Sequence, residues 1–319
     1  MISVAIPAFK AKYLAEAIES VLCQTFLNYE LIIVNDASPE DIGAIVHQFK
    51  DDRIKYFENK INLGRQGVVR NWNECLRRAK GELFVLFSDD DLYLPEFLDD
   101  MERLSLRYPN ADVFHCAVRI IDDSGKGVGF APRCPEFESG ASFIWHRLSG
   151  YRLYFTSGFC CRTNELRKIG GFADLPQGWG SDDITLSTLA VRGGIGYTQK
   201  ELFNYRTSEI TISQSGSITG KLKALCEYEL SMAAILAQAS RTSSQDQGLV
   251  LDARAELPHW IAKRKADQLV GRAYKSSVAG FIQVILLWLS YQRKYKLSFE
   301  VLLRSISGSV KGLSRSRLS

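Results

Sequence analysis

The sequence predicts an α/β fold in which a Rossmann-like mixed sheet is flanked by helices and followed by a helical C-terminal extension. Short apolar runs alternate with helically spaced apolar residues through about the first 90 positions, as in sheets built from βα units. The run Tyr29 to Val34 is almost continuously apolar, which is typical of a strand buried on both faces. From about residue 220 onward, only helical spacing remains.

The predicted elements follow one another in order along the chain. The first strand covers residues 1–7, and the helical spacing from Leu14 to Leu22 predicts a helix over 14–26. The alternation continues with strands over 29–34, 54–57 and 82–87 and helices over 42–49 and 68–79. The clearest later helix covers residues 222–239. We therefore expect a sheet domain at residues 1–215 and a helical C-terminal region at residues 216–319.

Composition and charge exclude several classes of protein. The 319 residues are 46% hydrophobic and carry a formal net charge of +4. A charge this small does not require a polyanionic binding partner, and we expect no binding to nucleic acid. The seven cysteines are scattered without a Cys-x-x-Cys pair, which indicates neither a disulfide framework nor a zinc site and favours a reducing cytosol. The opening MISVAIPAF lacks the features of a signal peptide and suits a strand.

Polar residues gather where the predicted strands end. In parallel sheets the carboxyl ends of the strands share one edge, and ligands bind beyond it. The sequence therefore predicts one site assembled from several strand ends, at Pro7 to Phe9, Asn35 to Asp36, Asn59 to Arg65 and Asp89 to Asp91.

The triplet Asp89-Asp90-Asp91 comes directly after an apolar strand. In an extended chain, Asp89 and Asp91 lie on the same side, and carboxylate oxygens are the ligands that Mg²⁺ and Mn²⁺ prefer. The alternative is an acidic turn that caps the next helix. Position alone leaves both interpretations open.

A second acidic pair, Asp182-Asp183, opens a helical pattern after a glycine-rich segment. A carboxylate at the first turn of a helix is held by backbone N–H groups, and beside a sugar hydroxyl it can act as a general base. Capping of the helix is the other interpretation. Basic residues suited to a diphosphate are Lys60, Arg65, Arg70 and Arg206.

Five segments in this order resemble the family 2 glycosyltransferases: SVAIPAF, LIIVNDAS, NLGRQGVVRN, FSDDD, and GGF followed by GWGSDDITL. The resemblance covers about residues 1–210. It implies a GT-A fold and the inverting, metal-dependent transfer of a sugar from a nucleotide-diphospho-sugar, a UDP-sugar, to a hydroxyl acceptor. The metal would be Mg²⁺ or Mn²⁺.

The resemblance also implies how the donor is bound. The residues implied to line or close the pocket for the nucleotide base are Pro7, Phe9, Asp36, Arg65 and Asn71.

The chemical roles follow from the same resemblance. Asp89 and Asp91 would form the DXD pair, with Asp89 near the ribose and Asp91 on the metal. Asp90, between them, would also contact the donor. Asp183 would be the general base with Asp182 next to it, although the family has Glu at the position of Asp182. Arg206 would lie at the diphosphate.

The acceptor is expected to be a glycan or a lipid-linked saccharide in the synthesis of a surface polysaccharide or glycolipid. Two alternatives stay open: a nucleotide-sugar-binding protein without activity, and a sugar-phosphate nucleotidyltransferase. The latter class usually has a Gly-rich basic loop after the first strand, where this chain has Ala8 to Tyr13 without glycine.

The C-terminal region combines an apolar segment with basic residues. Residues 278–291 are apolar but fall short of the ~20 residues that span a bilayer. Arg293, Lys294 and Lys296 follow at once, and residues 262–319 hold twelve Lys and Arg against two acidic residues, a local excess of +10. Attachment to the inner face of the cell membrane and simple packing on the catalytic domain are both compatible with this pattern.

Overall fold

The computed structural model describes residues 1–207, 216–239, 246–271 and 278–315, with side chains described except at 65–66, 278–279 and 308–315. The strands in these ranges are β1 Ile2–Ala8, β2 Tyr29–Asn35, β3 Ile54–Glu58, β4 Leu83–Leu86, β5 Leu92–Tyr93, β6 Val113–Ile121, β7 Gly127–Phe130, β8 Phe137–Glu138, β9 Phe159–Arg162 and β10 Ile195–Arg206. The helices are α1 Leu14–Leu22, α2 Ile42–Val46, α3 Val69–Arg78, α4 Phe97–Arg107, α5 Gly140–Ser149, α6 Thr163–Lys168, α7 Ser181–Gly193, α8 Ile218–Ala239, α9 Gln247–Val270, α10 Val278–Tyr291 and α11 Phe299–Arg315.

The strands form one mixed sheet with the order β3-β2-β1-β4-β9-β6-β10-β5, with β7 paired to β6 and β8 paired to β10. The strands β3, β2, β1 and β4 are mutually parallel, as their alternation with helices predicts. β9 runs antiparallel between β4 and β6, while β6 and β10 are parallel to each other. The predicted mixed α/β architecture is therefore confirmed.

The sheet has an apolar layer on each face. Because side chains alternate along a strand, Ala5 of β1 lies in the layer with α3, α5 and α7, whereas Ile6 lies in the layer with α1 and α4. Tyr228 of α8 and Leu257 of α9 belong to the first layer. The predicted boundary at residue 215 lies outside the described residues, and the helices that follow it complete the core of the sheet.

The antiparallel direction of β9 decides where the site forms. The carboxyl ends of β1, β2, β4 and β10 lie at one edge of the sheet. Since β9 is antiparallel to β4, the beginning of β9 lies at that same edge, with Cys160 opposite Val85. A 3₁₀ turn at Thr156–Gly158 precedes β9 and therefore reaches the end of β4.

Candidate active site

Asp36 directly follows β2, and its carboxylate holds the chain that comes after β3. It accepts hydrogen bonds from the Asn59 side chain and from the Leu63 and Gly64 amides, each at 2.8 Å. Asn59 also donates to Asn71 at 3.0 Å. A Cβ on Gly64 would lie 3.0 Å from Asp36, so glycine allows this close approach. The predicted pocket residues Asp36 and Asn71 thus belong to one buried network.

The loop after β1 lies between that network and the acidic triplet. The Phe9 and Lys10 amides donate to Asp89 Oδ2 at 2.9 and 2.8 Å, and the Phe9 carbonyl accepts from Ser38 Oγ at 2.6 Å. The Phe9 ring is exposed, and Pro7 lies near the end of β1. An apolar surface is therefore available beside Asp89.

The three aspartates after β4 have different surroundings. Asp91 is 2% exposed; its carboxylate accepts from Ser157 Oγ at 2.7 Å and from the Arg206 amide at 3.0 Å. Asp89 is held by the two amides of the β1 loop. Asp90 is partly exposed, and the charges of Lys10 and Arg206 act on its carboxylate.

Burial raises the pKa of all three carboxyl groups. The pKa of Asp89 rises to about 6. The pKa of Asp91 rises to about 7 through burial and the neighbouring charge of Asp90, and the pKa of Asp90 is raised by burial as well. A bound cation would favour the ionised forms, so the triplet is electrostatically suited to one.

The assignment of Asp89 and Asp91 as metal ligands stays a prediction. Each oxygen of Asp91 accepts one hydrogen bond from the protein, and the residue is almost fully buried, so Asp91 supports the turn. Within the described ranges, no group of three or more His, Cys, Asp and Glu side chains could hold a metal ion by itself. Asp89 and Asp90 fit Mg²⁺ or Mn²⁺ if substrate phosphates and water complete the shell, as is usual for Mg²⁺.

The second acidic pair begins α7. Gly180 precedes it with a φ of +83°, and a Cβ there would lie 2.7 Å from the Tyr228 ring, so only glycine fits this start of the helix. Asp182 accepts from Thr156 Oγ1 at 2.8 Å and from the Asp183 amide at 2.9 Å. Burial and the charge of Asp183 raise the pKa of Asp182.

Asp183 faces away from Thr156 and toward the helices that pack on the sheet. Its carboxylate lies 2.6 Å from Arg147 Nε of α5 and 3.8 Å from Arg264 Nη1 of α9, and Tyr228 OH of α8 is 3.5 Å away. The residue is 5% exposed. The assignment of Asp183 as the base stays a prediction: Arg147 and Arg264 flank its carboxylate, whereas Asp182 reaches the 3₁₀ turn.

The turn at Thr156 and Ser157 joins the two acidic clusters. Thr156 donates to Asp182, and the next residue, Ser157, donates to Asp91 and accepts from the Ser88 amide at 3.0 Å. Two clusters almost a hundred residues apart in sequence thus meet on adjacent hydroxyl groups. The sequence analysis missed both residues, because a Thr-Ser pair outside a motif carries no signal of its own.

Arg206 is placed differently from its prediction. Its buried guanidinium donates to the carbonyls of Asp90 and Asp123 and to the Glu16 carboxylate, and it lies 4.1 Å from the centre of the Tyr13 ring. These contacts hold the end of β10 against α1 and the acidic triplet. The contacts give Arg206 a structural role, and its diphosphate role stays a prediction.

The other predicted cations differ in their surroundings. Lys60 is exposed, and Arg70 Nε lies 3.8 Å from Asp174. The side chain of Arg65 lies outside the described residues. Lys10, which the sequence analysis did not single out, exerts its charge on Asp89 and Asp90 and opposes their raised pKa.

Comparison with known proteins identifies a matching sequence family and related glycosyltransferases. The sequence model of the family described as Glycosyl transferase family 2 matches residues 3–172, which include Asp36 and Asp89 to Asp91 and end before Asp182. An uncharacterized glycosyltransferase of Rickettsia typhi is 33% identical over 132 residues, 41% of this chain and 40% of the relative. A GalNAc(5)-diNAcBac-PP-undecaprenol beta-1,3-glucosyltransferase of Campylobacter jejuni is 42% identical over 93 residues, 28% of this chain and 29% of that protein. The matched stretches thus span less than half the length of these relatives.

Two solved structures share the fold over nearly the whole chain. S. aureus TarS 1–349 in complex with UDP-GlcNAc aligns with a TM-score of 0.61 and 18% identity, covering 99% of this chain and 91% of TarS 1–349. The mannosyltransferase PcManGT from Pyrobaculum calidifontis, in complex with GDP-Man and Mn²⁺, aligns with a TM-score of 0.53 and 16% identity. The alignment covers 99% of this chain and 86% of PcManGT. At these identities the likeness extends to the GT-A fold alone.

Proposed function

The chain belongs to glycosyl transferase family 2, and on that premise we propose that it is an inverting, metal-dependent glycosyltransferase. It would move a sugar from a nucleotide-diphospho-sugar, a UDP-sugar, to a hydroxyl group during the synthesis of a surface polysaccharide or glycolipid. The observation that carries this proposal is the meeting of Asp89 to Asp91 and Asp182 at the turn formed by Thr156 and Ser157.

In this proposal the donor lies along the carboxyl ends of β1, β2 and β4. Phe9 and Pro7 offer an apolar surface to the base, while Asp36 and Asn71 hold the wall formed by the turn at Leu63–Gln66. Asp89 lies beside them, toward the ribose. UDP-GlcNAc bound to TarS supports a uridine nucleotide, whereas GDP-Man bound to PcManGT shows that the fold also accepts guanosine.

Asp89 and Asp90 would hold Mg²⁺ or Mn²⁺ together with the diphosphate, and Lys10 would add a positive charge nearby. A cation at this position stabilises the negative charge that builds on the leaving nucleoside diphosphate. The raised pKa values of Asp89 and Asp90 support this assignment, because the triplet gains from a neutralising ion. The Mn²⁺ in PcManGT supports the kind of ion.

Asp182 would act as the general base. It would take the proton from the acceptor hydroxyl while that oxygen forms a bond to the anomeric carbon. The bond from that carbon to the phosphate oxygen breaks at the same time, and its electron pair leaves with the nucleoside diphosphate. One displacement of this kind inverts the configuration at the anomeric carbon.

The acceptor is proposed to be a glycan or a lipid-linked saccharide, met on the cytoplasmic side of the cell membrane. The undecaprenol-linked substrate in the name of the Campylobacter relative supports this class. We propose that residues 1–215 bind the donor and that residues 216–319 position the base and face the acceptor's surroundings. Arg264 and Tyr228, which lie against Asp183, support that division of roles.

The proposal is tested by measuring the melting temperature with UDP, GDP, dTDP and CDP, each with and without Mn²⁺. A ligand at a hundred times its Kd stabilises the folded state by about 2.7 kcal/mol, which raises the melting temperature. We expect UDP with Mn²⁺ to stabilise the protein by this amount. The same screen with UDP-sugars and radiolabelled transfer then separates an enzyme from an inactive binding protein. The absence of any rise with all four nucleotides would overturn the proposal.

A further inference from the structure

Helix α10 is attached to the rest of the protein by one face. Val284 is fully buried, and Leu287 and Trp288 pack on a cluster shared by α8, α9 and α11. The Trp288 indole also donates to the Ser298 carbonyl at 3.1 Å. This inner face satisfies the ordinary requirement that an amphipathic helix bury its apolar side.

The opposite face of α10 is apolar as well. The outer face consists of side chains that are each 36% to 56% exposed and that recur along one side of the helix: Phe281, Ile282, Leu286 and Leu289. No charged residue occurs within Val278–Tyr291. A helix packed by one face normally turns polar residues to water, so this second apolar face indicates a further apolar environment.

The residues after α10 are basic and exposed. Arg293, Lys294 and Lys296 lie in the turn that leads to α11, where Phe299 and Leu303 are also exposed. No Asp or Glu occurs between Asp267 and Glu300. An isologous contact between two copies through this face would bring the same cations together without acidic partners, whereas an anionic surface complements them.

The dimensions of α10 favour lying along a membrane. Its 14 residues give a length of about 21 Å, shorter than the ~30 Å hydrocarbon core. None of the helices in the described ranges is both long and apolar enough to cross a membrane. With the inner face packed on protein, only the outer face is available to lipid.

We propose that the outer face of α10, with Arg293, Lys294 and Lys296 beside it, seats the protein on an anionic lipid bilayer. The four apolar side chains enter the boundary between headgroups and acyl chains, and the three cations contact the anionic headgroups. The purpose of this contact rests on the proposed function, because a lipid-linked acceptor would be presented at that surface. The contact itself requires no catalysis.

The experiment is flotation of the full chain with vesicles of phosphatidylcholine containing 30% phosphatidylserine, compared with phosphatidylcholine alone. The triple variant Ile282→Gln, Leu286→Gln, Leu289→Gln should bind the anionic vesicles at least tenfold more weakly than wild type. A matched control replaces three leucines on other surfaces that are more exposed than the α10 residues, Leu106, Leu230 and Leu251, with Gln and should bind as wild type does. Neutralising the three cations should cost about fivefold per charge, an effect that salt removes.

Two results would overturn the inference: wild type that does not float with anionic vesicles, or an α10 triple variant that floats as well as wild type. If the triple variant instead abolishes a dimer seen by light scattering without vesicles, a second copy covers the face and the membrane role is wrong. Nucleotide-dependent melting shifts of the same variants report separately on the proposed function, since α10 packs mainly on α9 and α11.

Discussion

The two acidic clusters of the cleft are both made of consecutive aspartates, but the protein supports them with different donors. Asp91 is held by neutral groups, the Ser157 hydroxyl and a backbone amide, and burial raises its pKa to about 7. Asp183 lies between the guanidinium groups of Arg147 and Arg264. In each cluster the more buried aspartate supports the turn, and its neighbour stays available to the cleft.

The difference explains how each cluster is suited to its task. Neutral donors hold Asp91 without neutralising its charge, which suits a site completed by a cation and a diphosphate. The guanidinium groups of Arg147 and Arg264 pair with Asp183 within the protein, and Arg147 also opposes the raised pKa of Asp182. They also tie the start of α7 to α5 and α9, which makes the position of Asp182 depend on the C-terminal helices.

The largest expected effect follows from replacing the base. Asp182→Asn should lower the transfer rate about a thousandfold, because an amide cannot accept the acceptor's proton and general bases contribute about 10²–10⁴-fold. Nucleotide binding should stay within twofold, since the substitution leaves the base pocket and Asp89 to Asp91 intact. Single-turnover transfer and the melting shift with UDP and Mn²⁺ measure the two quantities.

The adjacent variant Asp183→Asn is the matched control. It leaves Arg147 and Arg264 without their carboxylate, and breaking a buried pair costs about 3–5 kcal/mol of stability. The fraction that remains folded at low temperature should lose some of its transfer rate, because Asp182 is held less firmly, but far less than a thousandfold. If Asp183→Asn instead loses a thousandfold while folded, and Asp182→Asn does not, the roles of the two aspartates are reversed.

The next largest effect distinguishes Asp90 from Asp91 as the residue that binds the metal ion. Asp90→Asn should weaken Mn²⁺-dependent binding of UDP about a hundredfold, because it removes one of two carboxylates assigned to the cation. Without Mn²⁺ the affinity should be unchanged. Titration calorimetry with and without Mn²⁺ measures both. A folded Asp91→Asn variant that loses the metal effect while Asp90→Asn keeps it would restore Asp91 as the ligand.

The sequence predicts the positions of these carboxylates better than their directions. Asp36 and Asp89 could be placed together because apolar runs identify parallel strands, and parallel strands end at one edge. The Arg206 amide, on β10, is one partner that holds Asp91, and the ion-pair partners of Asp183 are on α5 and α9. Such long-range contacts have no local pattern, so the DXD spacing alone does not tell which oxygens of the triplet are held by the protein.

A similar reason explains why the surroundings of Arg206 could not be predicted. The resemblance implies a diphosphate contact, but Tyr13, Glu16 and Asp123, which contact the guanidinium, come from loops and a helix far away in sequence. They enclose the guanidinium before any substrate could reach it. The apolar α10, by contrast, was visible in the sequence, because fourteen residues without a charge are a local property.

A smaller effect is expected from pH. The pKa of Asp89 is raised to about 6, so below pH 6 the proton competes with the metal for this carboxylate. The Mn²⁺-dependent affinity for UDP should therefore fall about tenfold for each pH unit below 6, with little change above 7. Calorimetry at pH 5, 6, 7 and 8 tests this. The Asp89→Asn variant should lose the pH dependence, and a flat profile in wild type would contradict the assignment.

The smallest effect concerns the support of Asp91. Ser157→Ala removes a hydroxyl that donates to Asp91 and accepts from the Ser88 amide, which should cost about 1–3 kcal/mol of stability. A second consequence distinguishes this role from simple packing. The folded-state pKa of Asp91 lies above its unfolded value, so its contribution to stability is greatest at low pH and is lost as the pH rises to about 7.

The Ser157 hydrogen bond lowers that pKa, so its removal should extend the loss beyond pH 7. Between pH 7 and pH 8 the variant should lose more stability than wild type, by up to about 1.4 kcal/mol, because each pH unit shifts the balance by that amount. Urea unfolding at pH 6, 7 and 8 measures the difference, with Ser124→Ala on the exposed turn as the control. Parallel stability curves for Ser157→Ala and wild type would mean that the serine supports the fold without tuning the acidic triplet.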